Sequence, residues 1–251
     1  MLLSDATPLP NRPFLSWPQH LALLAAVLLL AAALAALDRR YFARSRALRL
    51  GIGALLAADT IACYGYQLRL GQLSFPGHLP LELCQATLVL TLLALFTGSA
   101  FLFDLAYYPA LAGSSMALLT PDLWEPFPSL ATVQFFVDHG LVVASVLYLV
   151  WSGRAWPRPG SALRSLAAVN LWAMLVGVFN WRFHTNYMYL CAKPGNASLL
   201  SLFGPWPWYL ACGELAALAL FLLLALPFGR PWLMAVRPQA NRETRPPFDV
   251  E

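Results

Sequence analysis

The chain is a succession of apolar runs of roughly twenty residues, the length a helix needs to cross a hydrocarbon core. Inside that core no water satisfies the backbone, so each run must fold as a helix. Seven runs can be read, over residues 18–37, 50–68, 80–95, 101–119, 131–151, 161–183 and 208–228. The second and sixth are interrupted by polar residues, Asp59 and Thr60 in one and Asn170 and Asn180 in the other. Only 11% of the 251 residues are charged and 59% are hydrophobic, whereas a soluble domain is about a quarter charged. A soluble enzyme, a disordered chain and a disulfide scaffold are therefore excluded. The expected architecture is all-α: a polytopic integral membrane protein with a seven-transmembrane-helix bundle.

The basic residues orient it. The net charge of +4 does not point to nucleic acid, because the arginines flank apolar runs. Twelve of the sixteen Lys and Arg lie in the 1–2 connection, the 5–6 connection and the C-terminal tail. The positive-inside rule then puts the N-terminus outside and the C-terminus in the cytoplasm. The first run is not a cleaved signal peptide, since its charge follows the apolar stretch rather than preceding it. Residues 1–17 form an extracytoplasmic segment and 18–228 the seven-helix domain. The proline-rich tail, 229–251, is expected to be cytoplasmic and disordered. The 3–4 connection, near Thr97 to Ala100, is the tightest. The 6–7 connection, from His184 to Pro207, is long, aromatic and expected to be ordered.

An ionisable side chain within a span is costly and marks a site by default. Six qualify: Asp59, Glu82, Asp104, Asp138, His139 and Glu214. Each alone has a plainer reading as a hydrogen-bonded tie between helices. Together they imply a polar cavity in the bundle. The third and fifth runs both start outside. At 1.5 Å per residue, Cys84 lies within about 8 Å of its outer end and His139 about 12 Å from its own. A cysteine and a histidine at matched depth suit a nucleophile and its base. The plainer readings are a small buried hydrophobe for Cys84 and a core histidine bonded to a carboxylate or carbonyl for His139. His78, Glu82 and Gln85, at i, i+4 and i+7, are expected on one helix face. Four cysteines without a CxxC pair signal neither zinc nor a disulfide framework. GxSxG, GxxxxGK[ST], HExxH and an acyltransferase HxxxxD are all missing. No cofactor, metal or nucleotide site is indicated, and no protein partner. A retinal pigment is excluded because the only lysine, Lys193, lies in a connection.

Four strings stand in order along the chain. His78-Leu79-Pro80-Leu81-Glu82-Leu83-Cys84-Gln85 is followed by Phe135-Phe136-Val137-Asp138-His139-Gly140. Then come Asn186-Tyr187-Met188-Tyr189-Leu190-Cys191-Ala192-Lys193-Pro194 and Gly204-Pro205-Trp206-Pro207-Trp208-Tyr209. They resemble the YwaF-type bacterial integral membrane proteins, relatives of the animal transmembrane protein 164 acyltransferase and, distantly, of the androgen-induced-type membrane threonine hydrolases. The resemblance covers about residues 50–224. It implies a bacterial cytoplasmic-membrane location and an acyl-CoA-independent transfer of a fatty acyl chain from phospholipid to lysophospholipid. It also implies a membrane cysteine working with a histidine on another helix, which here correspond to Cys84 and His139. A polyunsaturated donor preference is not carried over to a bacterial chain.

The expected chemistry is a Cys84 acyl-thioester formed with His139 as base. Gln85, Asn180 or a backbone N–H could stabilise the oxyanion, and Glu82 or Glu214 could orient the histidine; Asp138 belongs to the same polar set but, about 100° round the helix from His139, cannot simply orient its neighbour's ring. Asn186, Tyr187, Tyr189, Trp206 and Trp208 are expected to line the pocket. Two rivals remain open: a lipid or fatty-ester hydrolase of the same chemistry, and a transporter or sensor that uses the carboxylates without catalysis.

Overall fold

A computed structural model describes residues 15–42, 45–121, 123, 125–193 and 202–228. The expected N-terminal segment therefore lies outside the described residues except for its last three, as do the whole tail and residues 194–201. Among the described residues the chain is helical, with no strand.

Every expected run is a helix. α1 spans Trp17–Leu37 and continues into a π-helical turn, Asp38–Phe42. α2 is Ala47–Arg69 and α3 is Leu83–Thr97. The fourth run is one continuous coil of three pieces: α4 (Ala100–Pro109), a π-helical turn (Ala110–Ser114) and α5 (Ser115–Leu119). The wider turn follows Pro109, whose ring cannot continue the regular ladder. α6 is Leu130–Ser152, α7 is Ser161–Phe183 and α8 is Trp208–Ala225. Five stretches, those of α1, α2, α6, α7 and α8, are long and apolar enough to cross a membrane, and α3 is a shorter apolar helix.

Local chemistry sets the ends. Ser99 and Ser129 accept the N–H groups of Leu102 and Thr132 at the starts of α4 and α6, which removes orphan donors there. Gly98 adopts φ 70° in the two-residue α3–α4 connection, a left-handed conformation that glycine reaches without a Cβ clash. α3 starts three residues later than the apolar run suggests. Leu79 precedes a proline, which disfavours helix, and Glu82 takes the extended N-cap position. His78 and Glu82 therefore lie off the helix, and the expected shared face of His78, Glu82 and Gln85 does not form.

α1 packs along α6, α3 against α4, α4 against α7, and α7 against α8, with α2 touching both α3 and α6. Gly140 makes the α1 contact close: a Cβ there would lie 2.9 Å from a Val27 methyl. A core cluster joins Leu88 and Leu95 of α3 to Val142, Val146 and Leu149 of α6. Outside it, Leu21, Leu28 and Leu29 of α1 and Leu171, Met174 and Val178 of α7 are exposed, as apolar side chains are where the surroundings are lipid.

The two ends of the bundle differ. At the end holding residues 38–47, 97–100 and 153–161, buried carboxylates meet arginines. Arg154 donates to Asp38 from Nε (2.8 Å) and Nη2 (2.9 Å), and also to the carbonyls of Phe42 and Ser45. The Tyr148 hydroxyl donates to Asp38 at 3.1 Å. Burial opposes the Arg154 charge, but the Asp38 bonds and field outweigh it and hold its pKa above the ordinary arginine value. Asp104, fully buried, accepts from Arg158 Nε (2.7 Å) and Arg164 Nη2 (3.2 Å). At the other end lie Cys84, His139 and the 6–7 connection.

Candidate functional site

Cys84 is the second residue of α3. Glu82 is the N-cap, so the N–H groups of the first turn have no partner within the helix. The thiol itself donates to Gln85 Oε1 at 3.5 Å.

His139 is oriented from within its own helix. Its Nδ1 is 2.8 Å from the Phe135 carbonyl, and the Phe135 ring lies 4.4 Å away, centroid to centroid. A carbonyl only accepts, so Nδ1 carries the proton and Nε2 keeps the lone pair. No hydrogen bond joins His139 to Cys84 among the described residues. Their two helices nevertheless share one core. Cys84, Leu88 and Leu95 follow helical spacing down α3. His139, Val142 and Val146 do so down α6. Leu88, Leu95, Val142 and Val146 share one core cluster. Thiol and imidazole thus each sit about one turn above packed neighbours.

The carboxylates do not line one cavity. Asp104 is held by arginines at the far end. Asp59 and Asp138 both accept the Gln134 side-chain amide, each at 3.0 Å. Glu214 accepts from Asn170 at 2.7 Å, tying α7 to α8. Glu82 accepts the Met188 N–H at 2.8 Å. None of Glu82, Glu214 and Asp138 orients His139; the Phe135 carbonyl, one turn away in the same helix, is the nearer acceptor.

Asn180 also serves another purpose. Fully buried, it donates to the Tyr187 carbonyl (2.9 Å) and accepts from the Tyr187 N–H (3.0 Å) and the Thr185 hydroxyl (2.8 Å). It therefore pins the 6–7 connection rather than facing an oxyanion. Three non-glycine residues there, His184, Met188 and Tyr189, have φ between 53° and 57°. Such positions cost about 1 kcal/mol or more each and persist where surroundings over-determine them. Asn186 supports the same turn by accepting from the N–H groups of Cys191 and Ala192. The Tyr209 hydroxyl donates to the Tyr189 carbonyl.

A cleft of about 390 Å³ opens at this end, walled by the 2–3 connection and α2. Asn186, Tyr189, Trp206 and Trp208 are not among its walls, and both Trp side chains point outward, 61% and 66% exposed. Tyr187 braces it instead: its hydroxyl donates to the Pro76 carbonyl (2.7 Å) and accepts the Leu79 N–H (2.8 Å). Tyr64, Ser74 and the Asp59–Gln134–Asp138 bridge were not singled out as site features from the sequence. Asp59 and Asp138 in apolar runs are the one signal that pointed toward the bridge. The described residues hold no group of three His, Cys, Asp or Glu that could bind a metal.

No curated protein and no solved structure matches the chain. Residues 14–225 match the sequence model of the TMEM164 family. With most of its length covered and its core built of apolar membrane-type helices, the chain belongs to the TMEM164 family.

Proposed function

We propose that the protein is a membrane-embedded acyltransferase that moves a fatty acyl chain between phospholipid and lysophospholipid through an acyl-thioester on Cys84. It crosses the bacterial cytoplasmic membrane seven times, with its N-terminus outside and C-terminus in the cytoplasm. The arginine-rich end then faces the cytoplasm and Cys84 lies beneath the outer surface, in keeping with the distribution of basic residues.

One observation carries the reading. A thiol at an uncapped helix N-terminus and an imidazole with its Nε2 lone pair free stand on two helices that share one core. His139 Nε2 takes the thiol proton, and the thiolate attacks the ester carbonyl carbon of a diacyl phospholipid. The N–H groups of Cys84 and Gln85 stabilise the oxyanion. The ester C–O bond breaks, and His139 returns its proton to the departing lysophospholipid oxygen. A second lysophospholipid hydroxyl, deprotonated by His139, attacks the thioester and releases the thiol.

Intact-lipid mass spectrometry of the purified protein in vesicles of defined donor and acceptor lipids tests this. Transfer with a hydroxylamine-sensitive acyl adduct on Cys84 is expected, and native-rate transfer by Cys84→Ala or His139→Ala overturns it. Free fatty acid without new phospholipid would make the enzyme a hydrolase of the same chemistry. The Asp59–Gln134–Asp138 bridge favours a second reading, since two carboxylates sharing one amide suit a proton-coupled carrier or sensor. Proton-driven uptake that survives loss of Cys84 would decide for that reading.

A further inference from the structure

The cleft formed by α2 and the connection leading into α3 has walls of one kind and a rim of another. Tyr64, Leu73, Phe75, Leu79 and Pro80 make it largely apolar, and Ser74 and His78 supply its polar groups. Its volume falls toward the small end of the roughly 300–1,000 Å³ typical of ligand sites, which suits one chain rather than two. The Ser74 hydroxyl and His78 Nδ1 are 3.0 Å apart, so Nε2 is the ring nitrogen left for a ligand. No carboxylate lines the cleft, and the closest acid in sequence, Glu82, is turned to the Met188 N–H. Basic groups end the two flanking helices, Arg69 on α2 and Arg182 on α7. The Arg182 guanidinium lies 5.2 Å from the Phe183 ring, which meets Phe75 edge-on at 5.0 Å.

The cleft adjoins the exposed apolar surface and is walled by the connection that leads into α3, the helix carrying Cys84. Ile61, Leu68, Leu70 and Phe75 are exposed along its approach, giving an apolar path from the side. Tyr187 couples its rim to the turn that caps α3, through Leu79 on one side and the neighbouring Met188–Glu82 bond on the other.

We propose that this cleft is the acceptor site: it holds a lysophospholipid with its single acyl chain against Phe75 and Leu79 and its phosphate near His78 Nε2 and Arg182. The inference rests on the reading of Cys84 as the acyl carrier and adds where the second substrate binds and what recognises it. The phosphate meets basic and N–H-bearing groups, and the apolar walls take the chain that cannot face water.

The test uses the full chain in phosphatidylcholine vesicles with a diazirine-bearing lysophosphatidylcholine, photolysed and mapped by peptide mass spectrometry. Adducts concentrated in residues 73–80 and displaced by unlabelled lysophosphatidylcholine are expected. Losing a hydrogen bond to a charged phosphate should cut His78→Ala labelling about tenfold and raise the acceptor KM by a similar factor, with thioester formation on Cys84 unchanged. Leu79→Trp, which fills the cleft, should block labelling in the same way. Adducts spread evenly over exposed α1 and α7, equal displacement by a free fatty acid, or unchanged labelling in both variants would overturn the assignment. Cleft labelling in a protein that forms no thioester would retain the lysophospholipid site and overturn the transfer reading. Thioester formation with an unlabelled cleft would do the reverse.

Discussion

The two ends of the bundle treat buried polar groups in opposite ways. At the arginine end, Asp38 and Asp104 each bind arginine directly, through Arg154 in one case and Arg158 with Arg164 in the other. At the thiol end no arginine or lysine bonds a carboxylate among the described residues. Glu82, Asp59 and Asp138 bond to N–H groups of a backbone and an amide, and the Cys84 thiol donates to Gln85. A paired ion is stable and chemically idle. A thiol and an imidazole with an open nitrogen are less firmly held and available for reaction. The contrast therefore separates what holds the bundle together from what acts on a substrate.

If it is right, removing the thiol or the imidazole alters rate and leaves folding alone, and removing an arginine that holds a carboxylate does the opposite. The largest effect is expected from Cys84→Ala, which should abolish transfer and the thioester with no shift in thermal midpoint. His139→Ala should slow transfer by about 100- to 10,000-fold, the usual range for a lost general base, read from initial rates in vesicles. Arg154→Ala leaves Asp38 buried without its cation and should cost about 3–5 kcal/mol of stability, read by denaturation in detergent. The rate per folded molecule should hold, and an inactive but folded Arg154→Ala would break the comparison. Gly140→Ala pushes a Cβ onto Val27 and should cost about 1–3 kcal/mol by overpacking the α1–α6 seam. The smallest effect is expected from Tyr187→Phe, about 1 kcal/mol for its hydrogen bonds to the 2–3 connection, with the acceptor KM rising more than kcat falls.

The helices were largely legible. Length and apolarity are properties of a contiguous stretch, so α6 and α7 lie within a residue of their expected bounds. Gly98 and Ser99 marked the tight α3–α4 turn for the same local reason. The site was legible only in part. Cys84 and His139 stood out as reactive residue types in apolar runs, with the family resemblance pointing to the same pair. Their partners did not stand out. Asn180 looked available for an oxyanion and instead anchors the 6–7 connection. Asp38 gave no signal in the sequence and is the buried centre of a lock.

What the sequence alone determined is the set of membrane-type helices, the crowding of arginine around particular connections, and the membership of the family. Each follows from residues read in order. Only the tertiary structure decided which buried polar group meets which. Asp38 and Arg154 are 116 residues apart, and Tyr187 reaches Pro76 across 111. In an apolar interior every polar atom must find a partner, but the chain leaves several within reach, and helix packing selects among them. For that reason Asp38 and Asp104 were locked to arginines, while Glu82, Asp59 and Asp138 took neutral N–H partners.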